Sequence, residues 1–423
     1  MARPSRVSGR FLSRSTALGL RAVLLAAVLA VSAGAQSPPA ASGPAAFAHV
    51  TALSQQIGSR PAGSPAFVHA TEYVTEQFQR LGYRVETQTF PFQFFDETEP
   101  PELMMLTPLE VSLHPATMLY STPTPKDGVE AELADVGLGR EEDLRGKRLD
   151  GKVALAQRGQ IRFAQKASFA AAAGASAIII INNQLGPAQT GTLLEPSRIP
   201  VVMVPYDEGL RLGAWLAAGP VRVRLVVRTV TEQRTSVNVI GIKPGTTAPA
   251  EVVVVGAHLD SVPLSPGAND NASGVATVLE VARLLAEVPT ARSIHFVAFG
   301  AEELGLVGSG YYVATRTLSV RGMVNLDMVG HGAQLLVSNS AGRGELLGIA
   351  EQAAGRLGIH VQRMSFGSSD HESFEKAGIP VVFIHTGDDN AYHTPQDVSS
   401  RIDPQLLAQA ASLAAAVVLD IAR

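Results

Sequence analysis

The 423-residue chain contains no cysteine and a single tryptophan. The missing cysteine excludes disulfide staples and thiol nucleophiles, so stability rests on packing and on any bound metal. Charged residues are only 17% of the chain and form no dense basic run, which argues against a nucleic-acid binder. There is no Gly-x-Ser-x-Gly elbow to expose a nucleophilic serine, and adjacent residues such as Ser369-Asp370-His371 rarely converge as a triad. The N-terminal apolar run, Ala22 to Val31, falls well short of the ~20 residues that span a bilayer, so no stable membrane anchor is expected there. Internal repeats and long low-complexity tracts are absent as well.

What is present begins with a processing segment over residues 1–35. Arg3, Arg6, Arg10, Arg14 and Arg21 form a basic leader without an acid, Ala22 to Val31 is apolar, and Ala33-Gly34-Ala35 fits a small-residue cleavage site. No twin arginine pair precedes the run, so a general secretory route to the periplasm or the exterior is expected. Removing those five arginines takes the formal charge from −4 to −9. Residues 36–44, rich in Pro, Ala, Ser and Gly, read as a flexible start. The remaining length suits two or three domains of about 100–200 residues each, and 46% hydrophobic content excludes a largely disordered protein.

The texture of the chain changes twice. Ser64-Pro65 predicts the start of a helix over about 65–81, with Phe67, Val74, Phe78 and Leu81 on its apolar face and Gly82 at its end. Tyr83 to Phe90 alternates like a strand. From about 99 to 231 short strands mix with one or two helices: Ala177 to Ile181 and Val201 to Val204 read as buried strands, and Phe163 to Ala173 as a helix stopped by Gly174. From 232 onward strands alternate with helices, which predicts a mostly parallel α/β sheet covered on both faces. In such sheets, sites collect where the strands end.

The residues able to do chemistry fall at those ends. His258 closes the apolar strand Val252 to Val255, with Asp260 two residues on as a carboxylate that could fix its tautomer. Asp270 precedes a helix start near Asn271 to Gly274; it serves equally as an N-cap or as a carboxylate bridging two cations about 3.5–4 Å apart. Glu302 and Glu303 follow the strand Ile294 to Phe299. Adjacent acids there suit a solvated helix start, or one acid that ligates beside another that acts as general base. Asp327 lies in an apolar run where a bare charge costs several kcal/mol unless paired or metal-bound. His393 follows Tyr392 in the polar loop Gly387 to Asp397, and a tyrosine hydroxyl can stabilise an oxyanion. Two imidazoles and three carboxylates can hold two divalent ions if one carboxylate bridges, and the set fits a two-metal hydrolase without fixing zinc over manganese or cobalt.

These segments resemble the co-catalytic dizinc aminopeptidases and glutamate carboxypeptidases, metallopeptidase family twenty-eight, over about residues 45–92 and 232–423. The resemblance implies that His258 and Asp327 bind one zinc ion and Glu303 and His393 the other, with Asp270 bridging. It further implies Glu302 as general base, Asp260 as the acid that orients His258, and Tyr392 on the oxyanion side. Ile57 to Ser64 looks like the family's opening segment, which is structural. Residues 99–231 resemble an inserted, β-rich α+β protease-associated (PA) domain, chiefly through Gly151 to Gly159, Phe163 to Ala177 and Ile178 to Asn182, leaving a discontinuous peptidase domain over 45–98 and 232–423. The expected substrates are peptides with a free N-terminus. A carboxypeptidase or dipeptidase on the same metal set, and a non-catalytic binding protein, stand as alternatives. Retention of both His258 and Asp327 argues against the single-zinc glutaminyl cyclases.

Overall fold

The computed structural model describes residues 39–342, 344–365 and 368–423. The leader expected over 1–35 lies outside the described residues. Of the stretch expected to be flexible, the described part enters a helix, Gly43–Thr51. Ser42 caps it by accepting from the Ala45 amide, Pro44 sits in its first turn, and Ala46 and Val50 are buried.

The peptidase sheet runs, from one edge, through strands 361–365, 335–339, 381–385, 319–326, 248–258, 292–299 and 222–243. Strand 248–258 is parallel to both neighbours, 292–299 and 319–326, and 319–326 is parallel to 381–385. Strand 335–339 runs antiparallel to 381–385, and 222–243 antiparallel to 292–299. The α/β sheet is therefore mixed and mostly parallel. Val253 and Val255 face one core with helices Gly274–Leu285 and Pro404–Ala422, while Val252 and Val254 face another with Tyr312 and Phe374. Both faces are covered, which is why the strand reads as an unbroken apolar run. The helix Pro404–Ala422 is long and apolar enough to cross a membrane, yet it packs in this core, with Leu407, Ala410, Ala414 and Val418 fully buried.

The insertion is built on strands 129–135, 153–157, 177–181 and 201–204 with helices Phe163–Ala172 and Tyr206–Ala218. Ile178 and Ile180 enter one core and Ile179 and Ile181 another, so this sheet too is covered on both sides. Its ends differ from the sequence expectation. The strand expected over 83–90 continues to Thr107, and it pairs antiparallel with the strand 222–243 along most of their length. The expected domain boundaries at 98 and 231 thus fall inside a ribbon shared by both parts. Pro100-Pro101 suggests a break, but register shifts between Glu97 and Glu102 absorb the prolines.

A buried histidine gives the fold a pH signature. His295, 8% exposed, pairs through Nδ1 with the Tyr312 hydroxyl at 2.8 Å. Burial pushes its pKa from 6.5 down to about 4. Below pH 6.5 the unfolded chain takes up a proton that the folded chain refuses until about pH 4. Stability is therefore full above pH 6.5 and declines progressively as the pH falls toward 4, by up to about 3 kcal/mol. His295→Gln is expected to reduce the slope of urea midpoint against pH over this range without abolishing it, since burial also lowers His371 and His385 to about 4; an unchanged slope would reject the assignment.

Candidate metal centre

Three neighbouring parallel strands deliver the site at their carboxyl ends. His258 ends strand 248–258, Glu302 and Glu303 follow strand 292–299, and Asp327 follows strand 319–326. Asp270 arrives on the helical turn Ala268–Ser273 and His393 on the loop beyond strand 381–385. Close backbone packing makes this convergence possible. A Cβ on Gly274 would stand 2.2 Å from the Leu326 carbonyl oxygen and 2.3 Å from Asn271 Oδ1, so glycine alone lets the helix start against the strand that bears Asp327. Asn271 stitches the junction, donating to the Leu326 carbonyl at 3.0 Å and accepting from the Gly274 amide at 2.9 Å.

The two oxygens of Asp270 face different histidines. Oδ1 lies 3.0 Å from His258 Nε2, and Oδ2 lies 3.2 Å from His393 Nε2. His258 Nε2 is also 3.4 Å from Asp327 Oδ1, and His393 Nε2 is 3.0 Å from Glu303 Oε2. Ligand atoms of His258, Asp270 and Glu303 all lie within 4.8 Å of one another, as do those of His258, Glu302 and Asp327. Glu303 Oε1 and Asp327 Oδ1 are buried without a hydrogen-bond partner. Buried carboxylate oxygens left unpaired are costly, and a cation satisfies them. The donor set of two imidazoles and three carboxylates therefore fits zinc.

The electrostatics of the cluster point the same way. Burial alone would push the His258 imidazole down, but Asp327, Glu302 and Asp270 together carry it well above its ordinary value. Burial opposes His393 likewise, and Glu303 and Asp270 raise it to about 11. Burial drives Glu302 well above the usual carboxylate range, reinforced by Glu303, Asp370 and Asp327 and opposed by His258. Burial raises Glu303 too. Asp270 would also be raised by burial, but hydrogen bonds from His258 and His393 hold it below the ordinary range. The imidazoles are thus drawn into cationic forms by carboxylates that a divalent ion would satisfy directly.

Asp260 has contacts on both sides of the site. His258 Nδ1 pairs with the main-chain carbonyl of Asp260 at 3.1 Å, and the carboxylate stands 3.9 Å away. That carboxylate instead accepts from the amides of Glu302 and Glu303 at 3.1 and 3.3 Å. The Asp260 main chain thus faces the His258 ring, and its side chain orients the loop of paired glutamates. Tyr392 is half exposed at the edge of the site, with its ring stacked on His393 at 3.7 Å between centroids.

Other contributors escaped the sequence reading. Asp397 accepts from the amides of Asn269 and Asp270 at 2.8 and 3.0 Å, fixing the turn that presents Asp270. Ser369 donates to Asp327 Oδ2 at 2.7 Å and itself accepts from Asn325. The Ser369-Asp370-His371 run thus supports Asp327 and forms no triad. Arg60, placed in a segment read as structural, is fully buried and donates to the carbonyls of Leu259, Pro266 and Gly267 at 2.7, 2.7 and 2.9 Å. The one local hint for Asp397 was a loop with several acids beside Tyr392-His393.

Comparison with known proteins agrees with this geometry. Residues 238–418 match Peptidase family M28, and residues 120–212 match the PA domain. Aminopeptidase YwaD of Bacillus subtilis (strain 168) is 36% identical over 395 residues, spanning 89% of this chain and 84% of its own length. The structure of an aminopeptidase from Aneurinibacillus sp. strain AM-1 superposes with a TM-score of 0.84 at 35% identity, covering 90% of this chain and 94% of that one. BSAP, a zinc aminopeptidase from Bacillus subtilis, superposes with a TM-score of 0.74 at 33% identity, covering 91% and 96%. The chain belongs to peptidase family M28, with a PA domain inserted in the peptidase fold.

Proposed function

We propose that this chain, a zinc aminopeptidase of family M28, holds two zinc ions and removes residues from the free amino ends of peptides, with Glu302 carrying the proton. The supporting observation is Asp270, whose two oxygens face separate histidines, each backed by a further carboxylate: Asp327 beside His258 and Glu303 beside His393. His258 and Asp327 would hold one ion, Glu303 and His393 the other, with Asp270 shared. When bound, the ions supply a Lewis acid that polarises the scissile carbonyl and acidifies water.

The chain's own groups do the rest. Glu302 sits within the same cluster of ligand atoms as His258 and Asp327, and its amide is tied to Asp260. Its carboxylate takes a proton from the attacking water and delivers it to the departing amine nitrogen. The Tyr392 hydroxyl donates to the oxyanion that develops on the scissile carbonyl. Export through a signal peptide is supported by the arginine leader, the short apolar run and Ala33-Gly34-Ala35. The intact mass of protein recovered from the medium checks it, with Gln36 as the expected first residue.

Chelation tests the metal assignment. Removal of metal is expected to abolish turnover and lower the thermal midpoint, since each site contributes about 4 kcal/mol when free zinc exceeds Kd a thousandfold. Titration should restore both with two equivalents of zinc per chain. Full recovery at one equivalent would overturn the two-ion reading.

A further inference from the structure

The loop that carries Glu302 and Glu303 holds an unusual backbone. Ala301 (φ 57°) and Leu306 (φ 61°) both occupy the left-handed region without being glycine. Such a loop keeps its shape only if its surroundings over-determine it. From the peptidase side, Asp260 accepts from the amides of residues 302 and 303, and the Glu302 carbonyl accepts from the amides of Gly305 and Leu306 at 2.8 Å. The carbonyl of Leu304, two residues further on, is bonded from elsewhere: the Tyr120 hydroxyl donates to it at 2.8 Å. Tyr120 opens the PA-domain match.

Tyr120 is itself held firmly. It is 2% exposed, with its ring against Phe95 at 5.6 Å between centroids. Its carbonyl accepts from Ser197, and the neighbouring Leu119 exchanges hydrogen bonds with Gly191 and Leu193. Its hydroxyl also lies 3.2 Å from the Gln93 carbonyl, and burial pushes the phenol up to about 12, so it stays a donor. The Leu304 side chain follows its carbonyl, packing against the insertion core of Phe95, Met118 and Tyr120 as well as against the Phe90–Phe92–Phe94 cluster.

We infer that Tyr120 is a positioning residue for catalysis: through the Leu304 carbonyl, the inserted domain sets the loop that presents Glu302 and Glu303. The insertion is then a working part of the catalytic loop. The inference rests on the roles proposed above for those two glutamates.

The test is Y120F in the full-length mature protein, which keeps the ring and removes only the hydroxyl. The expected result is a fall of about tenfold in kcat with KM within twofold of the parent, together with faster hydrogen exchange in the peptide covering 300–307, with or without zinc. Ile178→Val, a one-methylene deletion in the same insertion core, provides the stability control and is expected to leave kcat and this exchange unchanged. If Y120F does not fold, Phe95→Leu, which loosens the ring's seat, should show both changes to a smaller degree. Unchanged exchange and kcat in the folded variant, or losses no larger than in the control, would overturn the inference. Retained turnover in Glu302→Gln would instead remove the reading beneath it, while the exchange result would still report whether Tyr120 holds the loop.

Discussion

Glu302→Gln is expected to lower kcat by about 10²–10⁴-fold while leaving KM and zinc content near those of the parent. The substitution keeps the shape of the side chain and leaves the 302 amide bonded to Asp260. It removes only the ability to accept a proton. Glu302 is outside the five groups assigned to the ions, so metal should stay. Glu303→Gln provides the contrast. Its Oε2 lies 3.0 Å from His393 Nε2 and its Oε1 has no hydrogen-bond partner, so it should lose zinc along with activity. Steady-state kinetics with metal analysis on both variants separates the two roles. Turnover of Glu302→Gln within tenfold of the parent would remove Glu302 as the base.

The second large effect is on stability. Arg60→Met is expected to cost about 3–5 kcal/mol, read from urea midpoints and slopes. The guanidinium is fully buried and donates to four carbonyl oxygens, those of Gly58, Leu259, Pro266 and Gly267. Methionine fills similar volume but leaves these acceptors unpaired beneath the turn that carries Asp270. It also removes the positive charge that Asp260, Asp270, Asp397 and Glu303 share. Burial lowers this guanidinium to about 10, and those four carboxylates hold it against a larger fall. Arg60→Lys keeps the charge without the planar fork and should fall between the two. A loss under 1 kcal/mol in Arg60→Met would show that the carbonyls find water instead.

The candidate site residues were legible because a buried parallel sheet announces itself. Runs such as Val252 to Val255 admit no charge, so His258, Glu302 and Asp327 at their ends stood out against the apolar background. What stayed hidden depends on contacts distant along the chain. Arg60 reads as an ordinary loop arginine, yet its partners at Leu259, Pro266 and Gly267 lie about 200 positions away. The carboxylate of Asp260 also accepts from the amides of Glu302 and Glu303, some 40 positions on, contacts that nearness in sequence to His258 does not suggest. The shared ribbon of residues 84–107 and 222–243 was cut short because alternation is a local signal, whereas continuity comes from pairing across the insertion.

A mass-spectrometric time course of one unmodified peptide, with and without chelator, tests the central claim most directly. The account predicts stepwise loss of residues from the amino end, abolished by chelator and restored by zinc. Loss from the carboxyl end, or amino-end cleavage that persists in chelator, would contradict it.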